Sequence, residues 1–220
     1  MAQWDMLRLL PRFDRPRSAA QSGALQAIYD AAATGWQDGI SKLGFINAYA
    51  QLMRNAPSPA TPPKVLDAGT GTGAFAQAWI DAHGTPATLT LTDISRAMLQ
   101  VAATRLPATQ VLTIGVGDEV PHVPPQDIVL CAHVIEHLDD PHAALTWLRD
   151  RLRPDGTLIM AISKPHWCTA LVRWRWGNAA YTPDKAHAML KAAGFTAISA
   201  HPFTSGPPSR VSYGYIAQRA

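Results

Sequence analysis

The chain has 220 residues, 47% of them apolar, with 19 Lys and Arg against 16 Asp and Glu. That length suits one domain with a small appendage, and a chain of this size buries enough surface to need no disulfide or structural metal. Its two cysteines, Cys131 and Cys168, are too few for a disulfide scaffold and too far apart for a CxxC metal site, and a net charge of +3 falls short of the concentrated positive charge of nucleic-acid binders.

The opening segment, MAQWDMLRLLPRFDRPR, carries Arg and Asp throughout, so no signal peptide is expected. No apolar run approaches the roughly 18 residues that a membrane-spanning helix needs. A reducing, cytoplasmic setting is the expectation.

In chain order, residues 1–56 read as helical. Leu25, Ile28 and Tyr29 in 22–33, then Ile40, Leu43, Ile46, Tyr49, Leu52 and Met53 in 38–55, recur at three- and four-residue steps. The stretch APSPATPP (56–63) cannot continue a helix and reads as a linker. Strands are predicted at 64–68, 88–92, 110–114, 127–131 and 157–162, with helices at 73–82, 95–104 and 141–152 between them. Alternating β and α with apolar strands points to a parallel sheet covered on both faces. A helix at 183–193 and strands near 195–201 and 211–218 follow. Gly194 sits where a helix C-terminal glycine belongs, and GPPS (206–209) reads as the bend of an antiparallel hairpin.

The segment VLDAGTGTGAFA (65–76) is the strongest signal. A buried strand ends at Asp67, Gly69, Gly71 and Gly73 follow at alternate positions, and a helix then begins. Glycines there allow a sharp turn and close approach to a ligand beside the positive end of a helix. Asp93 closes the next strand, where a carboxylate can accept both hydroxyls of a ribose. An adenine-nucleoside site follows from either of two readings. Gly69, Gly71 and Ala74 also satisfy G-x-G-x-x-A, the fingerprint of a dinucleotide-binding oxidoreductase. Asp67 argues against it, since a carboxylate under the loop would repel a pyrophosphate and favour the ammonium of a methionine moiety.

DAGTGTG followed by LTDIS resembles motifs I and II of the class I S-adenosylmethionine-dependent methyltransferases, the ubiquinone-biosynthesis-like members among them. GVGDEVP (115–121), DIVLCAHVIEHLDDP (127–141), LRPDGTLIM (152–160) and MLKAAGF (189–195) resemble later motifs of the same family in the same order. The resemblance covers roughly 64–201. It implies a Rossmann-like α/β fold: a seven-stranded sheet with helices on both faces and a terminal antiparallel hairpin, in a cofactor-binding domain over 64–220, while the amphipathic helices ahead of the proline linker read as an N-terminal helical cap over 1–56. It implies S-adenosyl-L-methionine as cofactor, held by Asp67, Gly69, Thr70, Gly71, Gly73, Asp93, Ile94, Gly117, Asp118, Cys131 and Ala132. Asp67 would orient the methionine end, Asp93 the ribose and Asp118 the adenine amino group.

The implied reaction is methyl transfer to an O or N atom of a small molecule. Two other readings stay open: a lipid-headgroup N-methyltransferase at a membrane surface, and a subunit that binds the cofactor without turnover. His133, Glu136 and His137 lie at i, i+3 and i+4, and His166 leaves the end of the fifth strand. The set resembles the metal-binding E-x-x-E-H pattern of two O-methyltransferase groups, with His133 in place of the first Glu. The preferred reading has no metal and makes His133 or His166 a general base.

The segment 164–183 carries Trp167, Trp174 and Trp176 with Arg173 and Arg175. It could close over a substrate, pack as an ordinary helix, or touch lipid headgroups together with the amphipathic stretch at 4–13. Neither a nucleic-acid partner nor stable membrane insertion is expected, and a homodimer stays open.

Overall fold

The computed structural model describes residues 30, 35–119, 123–166 and 179–220. Its elements run α1 (Phe45–Met53), β1 (Lys64–Ala68), α2 (Ala74–His83), β2 (Thr88–Thr92), α3 (Arg96–Arg105), β3 (Gln110–Leu112), β4 (Gln126–Ala132), a 3₁₀ turn (Ile135–His137), α4 (Pro141–Arg151), β5 (Leu152–Ser163), α5 (Pro183–Ala192), β6 (Phe195–Pro202), α6 (Pro208–Val211) and β7 (Ser212–Arg219). Local chemistry sets the helix starts. The side chains of Ser95, Asp140 and Thr182 accept hydrogen bonds from Met98 N, Ala143 N and Lys185 N, and Pro141 and Pro183 occupy the first turns they cap.

The strands form one seven-stranded sheet in the order β3-β2-β1-β4-β5-β7-β6. The first five pair in parallel, while β7 runs antiparallel to both β5 and β6. This is the Rossmann-like methyltransferase architecture with its terminal hairpin. Strand alternation gives the sheet two apolar faces. Val65, Leu89, Leu91, Ile128, Leu130 and Ile159 pack with α1, α2 and α3. Leu66, Val129, Cys131, Leu158 and Met160 pack with α4 and α5 on the other side.

Four local features differ from the sequence expectation, each for a physical reason. The helix predicted over 38–55 is interrupted: residues 35–42 are helical, a turn follows, and α1 starts after Gly44, whose φ of 84° a side chain would resist. Strand β3 stops at Leu112, because the chain folds back there with Ile114 N donating to Leu112 O. Strand β5 starts at Leu152 instead of Thr157, with a shift of register against β4 between Gln126 and Ile128. The GPPS bend contains the one-turn helix α6. The proposed helix at 22–33, apart from Asp30, lies outside the described residues, as does the amphipathic stretch at 4–13.

Helix α1 is built into the sheet's core. Leu52 and Met53 are wholly buried, and Gln51 ties the helix to the β6–α6 connection by donating to Pro202 O at 3.1 Å and accepting from Thr204 N at 3.2 Å. Leu52→Ala should therefore cost about 2–5 kcal/mol of folding stability, the range for a buried leucine that leaves a cavity. Chemical denaturation checks this, and a loss below about 1 kcal/mol would mean that α1 docks only loosely.

Candidate active site

The carboxyl ends of β1, β2 and β4 open on one cavity of about 680 Å³. Strand β1 lies between β2 and β4, where the strand order reverses, and crevices of open α/β sheets form at such a point.

The glycine loop forms one wall, and four of its amides are consumed within the protein. Gly69 N and Thr70 N both donate to Thr92 O, at 2.8 and 2.9 Å, and Gly71 N donates to Asp93 Oδ2 at 2.8 Å. Gly73 N donates to Thr70 O at 2.9 Å, and Gly73 precedes the first residue of α2. A pyrophosphate-binding glycine loop needs free amides aimed at the anion, and these four point elsewhere. A Cβ on Gly69 would lie 2.3 Å from Val134 Cγ2, so that glycine is required by packing. A Cβ on Gly71 would meet nothing within 4 Å, and this tip of the loop faces the cavity.

Asp67 is buried beneath the loop, and its Oδ2 accepts from Thr70 Oγ1 at 2.6 Å. Burial, helped by the charge of Asp93, pushes its carboxyl up to about 7 against the opposing pull of the Thr70 hydroxyl and the Ala76 amide. Thr70 lines the cavity and Asp67 does not, so Asp67 reaches the cavity through Thr70. Asp93 does line it. Its Oδ1 accepts from Ser95 N at 2.8 Å, so both oxygens are oriented by backbone amides while lone pairs remain. Burial raises this carboxyl, with the Ser95, Gly71 and Ile94 amides opposing.

Asp118 lies at the same edge. Its Oδ2 accepts from Gly115 N at 2.7 Å, and its carbonyl accepts from Trp147 Nε1 at 2.7 Å, which anchors this loop to α4. Ile94 and Ala132 line the cavity; Gly73, Gly117 and Cys131 do not. Cys131 points to the opposite face of the sheet and is wholly buried there. Sequence reasoning missed Met98 and Ile114, which add apolar wall beside Ile94. Neither carries a polar signature, and only the Ser95 cap, which turns α3 toward the site, hinted at Met98.

This donor set fits S-adenosylmethionine better than a dinucleotide. Asp93, Asp118, Glu136 and Asp139 line the cavity, and among the described residues no Lys or Arg does. Carboxylates accept from hydroxyl and amino groups and favour a cation, whereas they repel a pyrophosphate. The volume lies within the roughly 300–1,000 Å³ of small-molecule sites.

The other end of the cavity holds Phe45, Tyr49, His133, Glu136, His137 and Ser163. His133 follows β4 with a φ of 57°, and its amide extends the ladder by donating to Ala161 O at 2.8 Å. Its Nδ1 lies 3.0 Å from Glu136 Oε1 and 3.4 Å from Ser163 Oγ. Glu136 is buried, and the same Oε1 accepts from Ser163 N at 2.6 Å. Burial alone would raise the Glu136 carboxyl, but the His133 hydrogen bond and the charges of His133 and His137 hold it down at about 2. Phe45 packs edge-on to the His133 ring at 5.3 Å. His166 is not among the lining residues. Among the described residues no three His, Cys, Asp or Glu side chains are grouped to hold a metal ion.

The N-terminal helical stretch closes one side. Trp36, Ile40 and Leu43 line the cavity, Gln37 Oε1 accepts from Thr72 Oγ1 at 2.8 Å, and Asp30 Oδ1 accepts from Ser95 Oγ. Trp167, Cys168, Arg173, Trp174, Arg175 and Trp176 lie outside the described residues.

The fold therefore places one cavity at the switch point of a seven-stranded mixed sheet. Residues 45–200 match the methyltransferase domain family, and the chain belongs to that family. An uncharacterized protein of Synechococcus, syc1184_c, is 33% identical over 163 residues; the match covers 65% of this chain and 37% of the relative's length. The fold resembles that of the Burkholderia thailandensis 1,6-didemethyltoxoflavin-N1-methyltransferase, solved with 1,6-didemethyltoxoflavin and S-adenosylhomocysteine, with a TM-score of 0.71, 17% identity and coverage of 95% of this chain and 94% of that one. It also resembles a SAM-dependent methyltransferase of Thermotoga maritima, with a TM-score of 0.70, 15% identity and coverage of 89% and 99%. Among the described residues no helix is long and apolar enough to cross a membrane.

The raised carboxyl of Asp67 has a consequence for stability. An acid whose folded-state value is about 7 instead of 3.8 binds its proton more tightly when folded. That contribution is full below about pH 4 and is lost as the pH rises through about 7. Asp67→Asn keeps an acceptor for Thr70 and cannot ionise. The stability of the parent protein minus that of the variant should fall between pH 5 and pH 8, by on the order of 2–4 kcal/mol. Denaturation curves across that range measure it, and a difference that does not change with pH would contradict the buried placement of Asp67.

Proposed function

We propose that the protein is an enzyme that transfers a methyl group from S-adenosylmethionine to an O or N atom of a small-molecule acceptor. The observation that carries this reading is the pairing of a glycine loop whose Gly69, Thr70, Gly71 and Gly73 amides are taken up within the protein with carboxylates at both Asp93 and Asp118. When bound, S-adenosylmethionine supplies an electrophilic methyl group on a sulfonium. The S-adenosylhomocysteine in the Burkholderia structure, whose fold this chain shares, supports the choice of cofactor.

The roles of the chain's own residues follow from their chemistry. Asp93, held by the Gly71 and Ser95 amides, accepts from ribose hydroxyls. Asp118 accepts from the adenine amino group. Ile94, Met98 and Ile114 give the base an apolar wall. Thr70, backed by Asp67, serves the methionine end. The acceptor occupies the aromatic end at Phe45 and Tyr49, and the residues from Trp36 to Leu43 act as the lid of the N-terminal cap. Of the two candidate bases only His133 lines the cavity, and removal of the acceptor's proton is assigned to it. The rest of the work is orientation of two reactants in a confined site.

Asp93→Ala should weaken S-adenosylmethionine binding by about 1–3 kcal/mol, the cost of leaving hydrogen-bond donors without their partner. Isothermal titration checks this, with NADPH as the control. Unchanged affinity in the variant, or tight binding of NADPH alone by the parent protein, would overturn the reading.

A further inference from the structure

We propose that Glu136 is the positioning residue of a carboxylate–imidazole dyad that fixes His133 with its proton on Nδ1 and leaves Nε2 as the proton acceptor of the site. This inference rests on the function proposed above and gives it a specific piece of machinery.

Three observations carry it. First, Glu136 Oε1 is fixed before it meets the imidazole. It accepts from Ser163 N at 2.6 Å, and the backbone carbonyl of Glu136 accepts from Ala179 N at 2.9 Å. The same Oε1 lies 3.0 Å from His133 Nδ1, so the amide that holds the carboxylate also holds it against the imidazole. Second, Nδ1 faces acceptor atoms: the Glu136 carboxylate, and the Ser163 hydroxyl at 3.4 Å. A neutral imidazole next to a buried carboxylate places its single proton on the nitrogen that faces the carboxylate. Third, the remaining nitrogen, Nε2, is screened from bulk water and has no hydrogen-bond partner among the described residues, although the residue lines the cavity. A buried acceptor lone pair left without a donor is costly unless a ligand supplies one.

The backbone supports the same placement. His133 adopts a φ of 57°, which bulky residues avoid, while its amide remains in the sheet ladder to Ala161. Left-handed backbone at such a residue is strained and persists only where its surroundings enforce it. The turn it makes brings His133 against the Glu136 side chain within one 3₁₀ turn and puts the ring edge-on to Phe45.

The chemical consequence concerns the acceptor. An Nε2 lone pair takes the proton of an O–H or an acidic ring N–H as that atom becomes the nucleophile. The proton then resides on Nε2, the imidazolium is stabilised by the Glu136 carboxylate, and the proton passes to water that replaces the departing acceptor at Nε2 before the screened arrangement of the free site re-forms. The dyad therefore suits a flat acceptor with an ionisable hydroxyl or ring N–H, whose body packs against Phe45 and Tyr49.

The test is long-range ¹H–¹⁵N NMR on uniformly ¹⁵N-labelled full-length protein at pH 8, with the His133 signals assigned by their loss in His133→Gln. The expected result is a protonated Nδ1 and an unprotonated Nε2 for His133. Glu136→Ala should abolish that pattern. Glu136→Gln should keep it, because its side-chain oxygen still serves Ser163 N. The amide ¹H–¹⁵N spectrum of each variant should stay dispersed like that of the parent protein, which shows that the variants are folded, and S-adenosylhomocysteine is titrated into the parent protein alone. A proton on Nε2 in the parent protein would overturn the dyad whether or not either variant folds, as would an unchanged pattern in Glu136→Ala. Loss of S-adenosylhomocysteine binding by the parent protein would instead overturn the cofactor assignment and leave the tautomer result standing.

Discussion

The end of strand β2 holds the glycine loop, and the rest of the site depends on that contact. One carbonyl, Thr92 O, takes two successive amides of the loop, and the next residue's carboxylate takes a third. The loop is thereby set against a neighbouring strand instead of being left open to bind an anion. The same hydrogen bonds orient Asp93, so the residue that closes the loop also offers acceptor oxygens to the cavity. Loop conformation and ligand chemistry are fixed by one set of bonds.

The sheet explains why these groups meet. Parallel pairing of β1 with both β2 and β4 brings three carboxyl ends to one edge, 26 residues apart in sequence at Asp67 and Asp93 and farther still at His133. The two apolar faces are each sealed by their own helices, which leaves the edge at the switch point as the place where polar groups converge. The cavity then divides by chemistry. The end proposed for the nucleoside has carboxylates and branched apolar side chains. The end proposed for the acceptor has aromatic rings around an imidazole tied to a buried glutamate. Helix α1 serves both the core and the site, since Leu52 and Met53 are buried while Phe45 and Tyr49 reach the acceptor end.

Much of this was legible in the residues. Strands at KVLDA and TLTLT, the glycine loop and the carboxylate after β2 carried their own geometry, because alternation and turn chemistry are local. The late antiparallel strands were legible too, from the helix-ending Gly194 and the proline bend. The break at Gly44 was not, since one glycine within an apolar repeat is compatible with a continuous helix until packing decides. Cys131 was assigned to the cofactor by its position in a motif, yet strand parity turns its side chain to the α4–α5 face. His166 follows β5 closely in sequence but does not line the cavity. In the sequence Glu136 stands out only through the resemblance to a metal-binding pattern. Its bond to Ser163 N spans 27 residues and joins two strand ends, and no spacing rule reveals such a contact. Met98 and Ile114 were missed because an apolar wall has no motif.

The central claim is that one cavity holds an adenine nucleoside between the loop after β1 and the loop after β3. Amide hydrogen exchange, with and without S-adenosylhomocysteine, tests it most directly. Slower exchange on ligand addition is expected in both Gly69–Ala74 and Ile114–Asp118, with little change in β6 and β7 on the far side of the sheet. Protection confined to one loop, or the same protection produced by NADPH in place of S-adenosylhomocysteine, would contradict it.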